Sequence, residues 1–213
     1  IKKVWFDICE LSVQRSGCAV AVYGDNIIIA GGTSGPKIWN TVDKYCPFNN
    51  TCTTFPAMNH QRLNFRLLVL DNDLYAIGGY NQTAEKYDKI TKKWINIANL
   101  NNKYTNISAV VCENHIYVHG DGKTEVYIPD YDVWQNIPHQ EYETRGACLI
   151  TIDNKIFAIG GEKYDVPVNY ICMFDPIAET WQYVRDMRDN RSDHCAVYLK
   201  VLSPDPGSDS EIS

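Results

Sequence analysis

The chain has 213 residues, a formal net charge of −6, 45% hydrophobic and 22% charged residues, which is ordinary for a globular protein with apolar material for a real core. An acidic balance without a basic stripe excludes a nucleic-acid footprint, and no apolar run approaches the roughly 20 residues needed to span a bilayer. A soluble, cytoplasmic chain with neither nucleic acid nor membrane as partner is therefore expected.

The chain opens Ile1-Lys2-Lys3-Val4-Trp5, with no initiator Met and no signal-peptide apolar stretch. The first element is Trp5-Phe6-Asp7-Ile8. Its pattern returns at Trp94-Ile95-Asn96-Ile97, Trp134-Gln135-Asn136-Ile137 and Trp181-Gln182-Tyr183-Val184, with Cys52-Thr53-Thr54-Phe55 in the same slot. Successive slots lie 47, 42, 40 and 47 residues apart. After the first slot come Arg15-Ser16-Gly17, an apolar strand from Cys18 to Tyr23, and a second from Ile27 to Ala30 that ends in Gly31-Gly32. A third strand runs from Thr41 to Tyr45. The order repeats as Arg62, Leu74 to Ile77, Gly78-Gly79 and Tyr87. A worn copy follows, with Ile116 to Gly120 and Tyr127, where His119 is read in the place of the first glycine. The last copy has Arg145-Gly146-Ala147, Ile156 to Ile159, Gly160-Gly161 and Phe174, before Arg191-Ser192-Asp193 begins another. An aromatic stands seven residues before the Trp slot in all four units, and the arginine stands 16, 16 and 15 residues before the first glycine in the units that have one.

A period of 40 to 47 residues, four short strands per unit and the order Gly-Gly, aromatic, Trp are the marks of propeller blades. The β-branched and aromatic enrichment between Asn, Asp and Gly turns favours strands over helices. These landmarks resemble kelch repeats over residues 1 to about 200. With an Asn/Ile/Lys/Tyr-heavy composition, read as an AT-rich coding genome, they resemble the kelch region of poxvirus BTB–kelch proteins. The resemblance implies an all-β kelch-type β-propeller over 1–202, with four complete four-stranded blades at about 15–55, 62–98, 103–138 and 145–185. Partial fifth-blade strands are expected at 3–9 and 191–200, and a disordered tail at 203–213, where Ser, Pro, Asp and Gly dominate. Either a fragment or a naturally shortened propeller is expected.

In an up-and-down meander the strand two–three and four–one loops share a face, and almost all length variation falls in the two–three loop. Loops on a rigid scaffold carry function. That face is expected to bind a protein target through Arg15, Trp39, Arg62, Tyr80, Tyr142, Arg145, Tyr164 and Arg191, with Lys37 and Lys163 nearby, because Arg, Trp and Tyr anchor interfaces. The competing reading is that the strand-one arginines pair with neighbouring acids. The resemblance implies a polar or acidic peptide segment as ligand and the substrate-recognition role of a BTB–kelch ubiquitin-ligase adaptor, or a truncated viral version of one acting in host–virus interaction. A cullin-type ligase enters only if a BTB domain lies elsewhere. The alternative is an actin-binding kelch protein.

Eight cysteines contain no CxxC. Cys18, Cys148 and Cys195 fall in first strands and are expected to be buried thiols in a reducing compartment. Cys46 and Cys52, six residues apart across a turn, leave a cross-strand bridge open. Three sequons, at Asn49, Asn81 and Asn106, matter only on the secretory path. His115 and His119 share a strand face but lack a third ligand, so no metal and no cofactor are expected. No GxSxG, HExxH, P-loop or Asp-box repeat is present, and we expect no enzyme, a propeller enzyme being the third alternative.

Overall fold

The computed structural model describes residues 7–137 and 144–199, and their alternating, β-branched segments are strands. The first unit contains β1 (Ala19–Tyr23), β2 (Asn26–Ala30), a small hairpin of β3 (Thr33–Ser34) and β4 (Lys37–Ile38), then β5 (Val42–Cys46) and β6 (Thr51–Phe55). The second contains β7 (Arg66–Leu70), β8 (Asp73–Ile77), β9 (Ala84–Asp88) and β10 (Lys93–Ile97). The third contains β11 (Ser108–Cys112), β12 (His115–Gly120), β13 (Lys123–Ile128) and, after a 3₁₀ turn, β14 (Val133–Asn136). The fourth contains β15 (Cys148–Ile152), β16 (Lys155–Ile159), a second hairpin of β17 (Glu162–Lys163) and β18 (Val166–Pro167), β19 (Tyr170–Asp175) and β20 (Thr180–Asp186).

Each unit is an antiparallel four-stranded meander, and the hairpins are separate two-stranded ribbons. Three of the first-to-second-strand turns, Asp71-Asn72, Glu113-Asn114 and Asp153-Asn154, hold both residues at positive φ, the twist-matched two-residue turn. The first strands β1, β7, β11 and β15 pack side by side in that order. Between neighbouring units lie three apolar clusters. Met58, Phe65 and Trp94 belong to the first, Tyr75, Tyr104 and Trp134 to the second, and Tyr117, Leu149 and Phe174 to the third. Fully burying one such large side chain contributes roughly 1.5–3 kcal/mol. The fourth-strand Trp also reaches back one unit: Trp94 Nε1 donates to the Pro56 carbonyl and Trp134 Nε1 to that of Ala98, each at 2.9 Å.

The second glycine of each pair sits where the chain crosses the entry segment of its own unit. A Cβ at Gly32 would lie 2.7 Å from the Ser16 carbonyl, and one at Gly161 2.7 Å from that of Arg145, both at strongly positive φ.

Several expectations change. His119 pairs with Ser108, so it holds the slot of Ala30, Ile77 and Ile159, and Gly120 is the first glycine. Cys46 lies opposite Thr51 and Cys52 opposite Tyr45, which puts the two thiols on opposite sheet faces. Cys52 instead bonds to Cys9, and Cys46 is free. Cys18 and Cys148 are only half-buried and Cys195 is exposed, whereas Cys112 and Cys172 are buried. Residues 7–11 and 191–199 form no strand, since no second strand stands beside them among the described residues. The remainder of the 3–9 segment, the end of 191–200, Tyr142 and the 203–213 tail lie outside the described residues.

Candidate functional site

One polar pair spans the entry and the third strand in units one to three, and its chemistry changes along the chain. In unit one, Arg15 Nη2 meets Asp43 Oδ2 at 2.8 Å while Nη1 donates to the Gly31 and Thr41 carbonyls at 2.7 and 3.0 Å. In unit two, Arg62 donates to Glu85 Oε1 from Nη2 at 2.8 Å and from Nε at 3.1 Å, and to the Gly78 and Thr83 carbonyls from Nη1. Both arginine side chains are fully shielded from solvent. Glu85 further accepts the backbone N–H groups of Asn59 and His60, so the pair pins the loop entering its unit. Burial lowers the Arg62 pKa, and Glu85 opposes that shift. Arg15 and Arg62 are therefore internal struts, as the competing sequence reading held. A partner cannot touch either guanidinium without unpacking a unit.

In unit three the strut is Tyr104, whose hydroxyl donates to Glu125 Oε1 at 2.8 Å. Burial first, then the adjacent Glu125 carboxylate, raises that phenol's pKa. In unit four the same slots hold Thr144 and Cys172, both buried, and burial pushes the Cys172 thiol up to about 11. Arg145 is thus one place beyond the strut slot. Its backbone bridge to Glu162 matches that of Ser16 to Thr33. The departure in spacing, 15 residues to the first glycine where units one and two have 16, was the signal of this slip.

Freed from the strut slot, Arg145 turns outward with a half-exposed side chain. Nε and Nη2 each lie 3.0 Å from Glu162 Oε2, and Nη2 also bonds Asp165. The Glu162 hydrogen bond and then Asp165 raise its pKa. Asp121, Thr144, Arg145, Glu162, Lys163 and Tyr164 line an open cleft of ≈ 310 Å³. Tyr164 and Asp165 form the tip of the β17–β18 hairpin, both at positive φ, which leaves the Tyr164 ring 89% exposed. Arg191 is held beside this cleft by backbone bonds to Gly161 and Val168, while Ser192 Oγ donates to Glu162 Oε1 at 3.0 Å. The Arg191 side chain is exposed and pairs with Asp189.

The structure thus brings Arg145 and Tyr164 together in the cleft and sets only the Arg191 backbone beside it. Trp39 and Tyr80 belong to units one and two. Trp39 is half-buried at the end of the first hairpin, with Lys37 Nζ 3.8 Å from its ring centroid, and Tyr80 is exposed at φ 62. Composition and spacing missed the acids Asp121, Glu162 and Asp165, because only the hairpin fold collects them around Arg145. Each ring of the predicted histidine pair bonds protein: His119 to Thr124 Oγ1 and the Thr144 carbonyl, both at 2.9 Å, and His115 Nδ1 to the Glu113 carbonyl. No helix among the described residues is long and apolar enough to cross a membrane.

The family model of the kelch motif matches residues 14–59, 61–101 and 143–188, more than half of the chain. The chain belongs to the kelch-repeat family. The matched kelch segments leave out most of unit three, where Tyr104 replaces the arginine and Asp121 the second glycine. Kelch-like protein 23 of Homo sapiens is 28% identical over 220 residues, 93% of this chain and 38% of that protein. Kelch-like protein 26 of Danio rerio is 27% identical over 210 residues, 86% of this chain and 34% of that one. The spermatocyte protein spe-26 of Caenorhabditis elegans is 25% identical over 84% of this chain and 36% of its own length. The kelch chain thus spans less than two fifths of these curated relatives. The solved structure of YjhT superposes with a TM-score of 0.72 at 14% identity, covering 87% of this chain and 69% of that one, and supports the propeller fold.

Proposed function

We propose that this chain is a protein-interaction module and that the loop face around Arg145 and Tyr164 is where its target docks. The observation that carries the reading is the slip of Arg145 out of the buried strut slot into an open cleft beside an 89% exposed tyrosine. Exposed Arg and Tyr on a rigid frame are the usual anchors of protein recognition. The ligand is a polar segment. An acidic side chain would have to displace Glu162 or Asp165 from Arg145, and the cleft's other carboxylate, Asp121, would repel it. The parent assembly is a BTB–kelch ubiquitin-ligase adaptor in which this region selects the substrate, a reading supported by similarity to kelch-like proteins over most of the chain. The Asn/Ile/Lys/Tyr-rich composition favours a poxvirus version.

Affinity purification from cytosolic extract, comparing the chain with an Arg145→Ala/Tyr164→Ala variant of unchanged melting behaviour, tests the docking face. Specific partners lost in the variant support it. Partners retained equally move the site to another surface. A cullin is expected only when a BTB domain is joined to the chain.

A further inference from the structure

A second arginine breaks the repeat. By strand register, Ala19, Arg66, Ser108 and Cys148 hold one slot, the first residue of each first strand or its equivalent, opposite the end of the second strand. Three of the four are small. The neighbouring-unit contacts at this slot follow one pattern, since Leu149 N donates to Ser108 Oγ at 3.0 Å and Ala196 N to Cys148 Sγ at 3.2 Å. Arg66 alone projects a long cation from it.

The Arg66 side chain lies in a cavity of ≈ 330 Å³ whose polar lining is Asn64, Arg66, Asn106, Asp193, His194 and Cys195. Arg15 and Arg62, whose side chains are fully shielded, each hold a carboxylate at 2.8 Å, whereas Arg66 is half-buried. Arg66 forms no ion pair among the described residues, and its one hydrogen bond there runs from Nη1 to the Phe65 carbonyl at 3.1 Å. Desolvation lowers its pKa, and Cys148, Cys195 and Asp193 only partly oppose that. The exposed carboxylate of Asp193 in the lining accepts from the Asn106 amide and forms no ion pair with Arg66, so an incoming oxyanion must outcompete its repulsion at the open guanidinium. Neither ring nitrogen of His194 has a partner among the described residues, and the Asn64 carboxamide has no hydrogen bond there. Even a half-buried cation without a counter-ion carries an uncompensated desolvation cost that a bound anion would offset. A guanidinium with its fork open is shaped for a two-oxygen anion.

We infer that Arg66, with Asn64 and His194, forms an oxyanion-binding site for a carboxylate or phosphate group. The inference does not rest on the loop-face reading. A smaller recess between the two shares Asn106, Gly146 and Asp193 with this cavity and Arg145 and Glu162 with the cleft, so the oxyanion could arrive on a docked partner or free from solution.

The test is made on the whole chain. Inorganic phosphate and a tetraglutamate peptide are titrated by calorimetry, and melting is followed against chloride at the same ionic strength. Saturable binding of either, with a raised melting midpoint, is expected. Loss of at least about tenfold in affinity in Arg66→Met and a smaller loss in Arg66→Lys are also expected, because an ammonium lacks the fork. Binding of the peptide with phosphate inert assigns the oxyanion to a partner's side chain, and binding of both makes a free anion sufficient. No binding to the wild-type chain overturns the inference, as does equal affinity in Arg66→Met. Should the Met variant not fold, Arg66→Lys decides alone: reduced affinity supports the site and unchanged affinity overturns it.

Discussion

Units one and four are the same construction set 129 residues apart, and they differ where it matters most. Gly32 N donates to the Arg62 carbonyl as Gly161 N does to that of Arg191. Met58 N to Asn40, Arg62 N to Trp39 and Asn64 N to Gly17 are reproduced by Met187 N to Asn169, Arg191 N to Val168 and Asp193 N to Gly146. Even the Asn40 side chain's bond to the Met58 carbonyl recurs between Asn169 and Met187. Yet the buried pair Arg15–Asp43 has become Thr144 and Cys172, and the cation stands one place later, at the surface. The backbone joint therefore does not need the strut. A buried ion pair carries a desolvation penalty close to its Coulombic gain, so two neutral buried residues substitute at little cost. Losing the pair moves an arginine to the surface.

The sharpest way to break this comparison is to cut the charged strut and the neutral one separately. Glu85→Ala leaves Arg62 buried and uncompensated and is expected to cost about 3–5 kcal/mol in urea unfolding, whereas Cys172→Ala should cost about 1 kcal/mol. Equal losses would refute the distinction. The second test concerns unit three, where a histidine fills a slot that is apolar elsewhere. Burial lowers the His119 pKa to about 4 from 6.5. The unfolded chain then binds the proton more readily between those values. Stability is full above about pH 6.5 and falls as pH drops toward 4, by up to about 3 kcal/mol. His119→Ile should abolish that part of the pH dependence, as read by denaturation at pH 7 and pH 4.5.

A third test rebuilds the strut in unit four. Thr144→Arg and Cys172→Asp are each expected to destabilise, because each buries a lone charge, and together they should recover a coupling of about 2 kcal/mol in a double-mutant cycle. Strict additivity would mean that unit four no longer has the geometry of unit one. The smallest effect is expected at Arg145→Ala, which should leave the unfolding midpoint unmoved while removing the partner signal. A shifted midpoint would make Arg145 structural.

Much of the architecture was readable before any coordinates. Glycine pairs, the seven-residue aromatic offset and the Trp slots placed sixteen strands in four units, because each is a local demand: a positive φ, a pleat face, a large core side chain. The roles of the arginines were not readable in the same way. Arg15, Arg62 and Arg145 look alike in the chain, and only packing buries two of them against Asp43 and Glu85 and leaves the third among hairpin acids. Proximity in sequence left a Cys46–Cys52 bridge open, but strand alternation points the two apart, and Cys52 bonds Cys9 instead.

The amino-acid sequence by itself determined the repeat, its register to within one residue, and the strand order within each unit, since periodic patterning depends on near neighbours. Tertiary structure alone decided which charges are shielded. Burial depends on what another strand, tens of residues away, supplies at 2.8 Å: a carboxylate for Arg15 and Arg62, and none for Arg66.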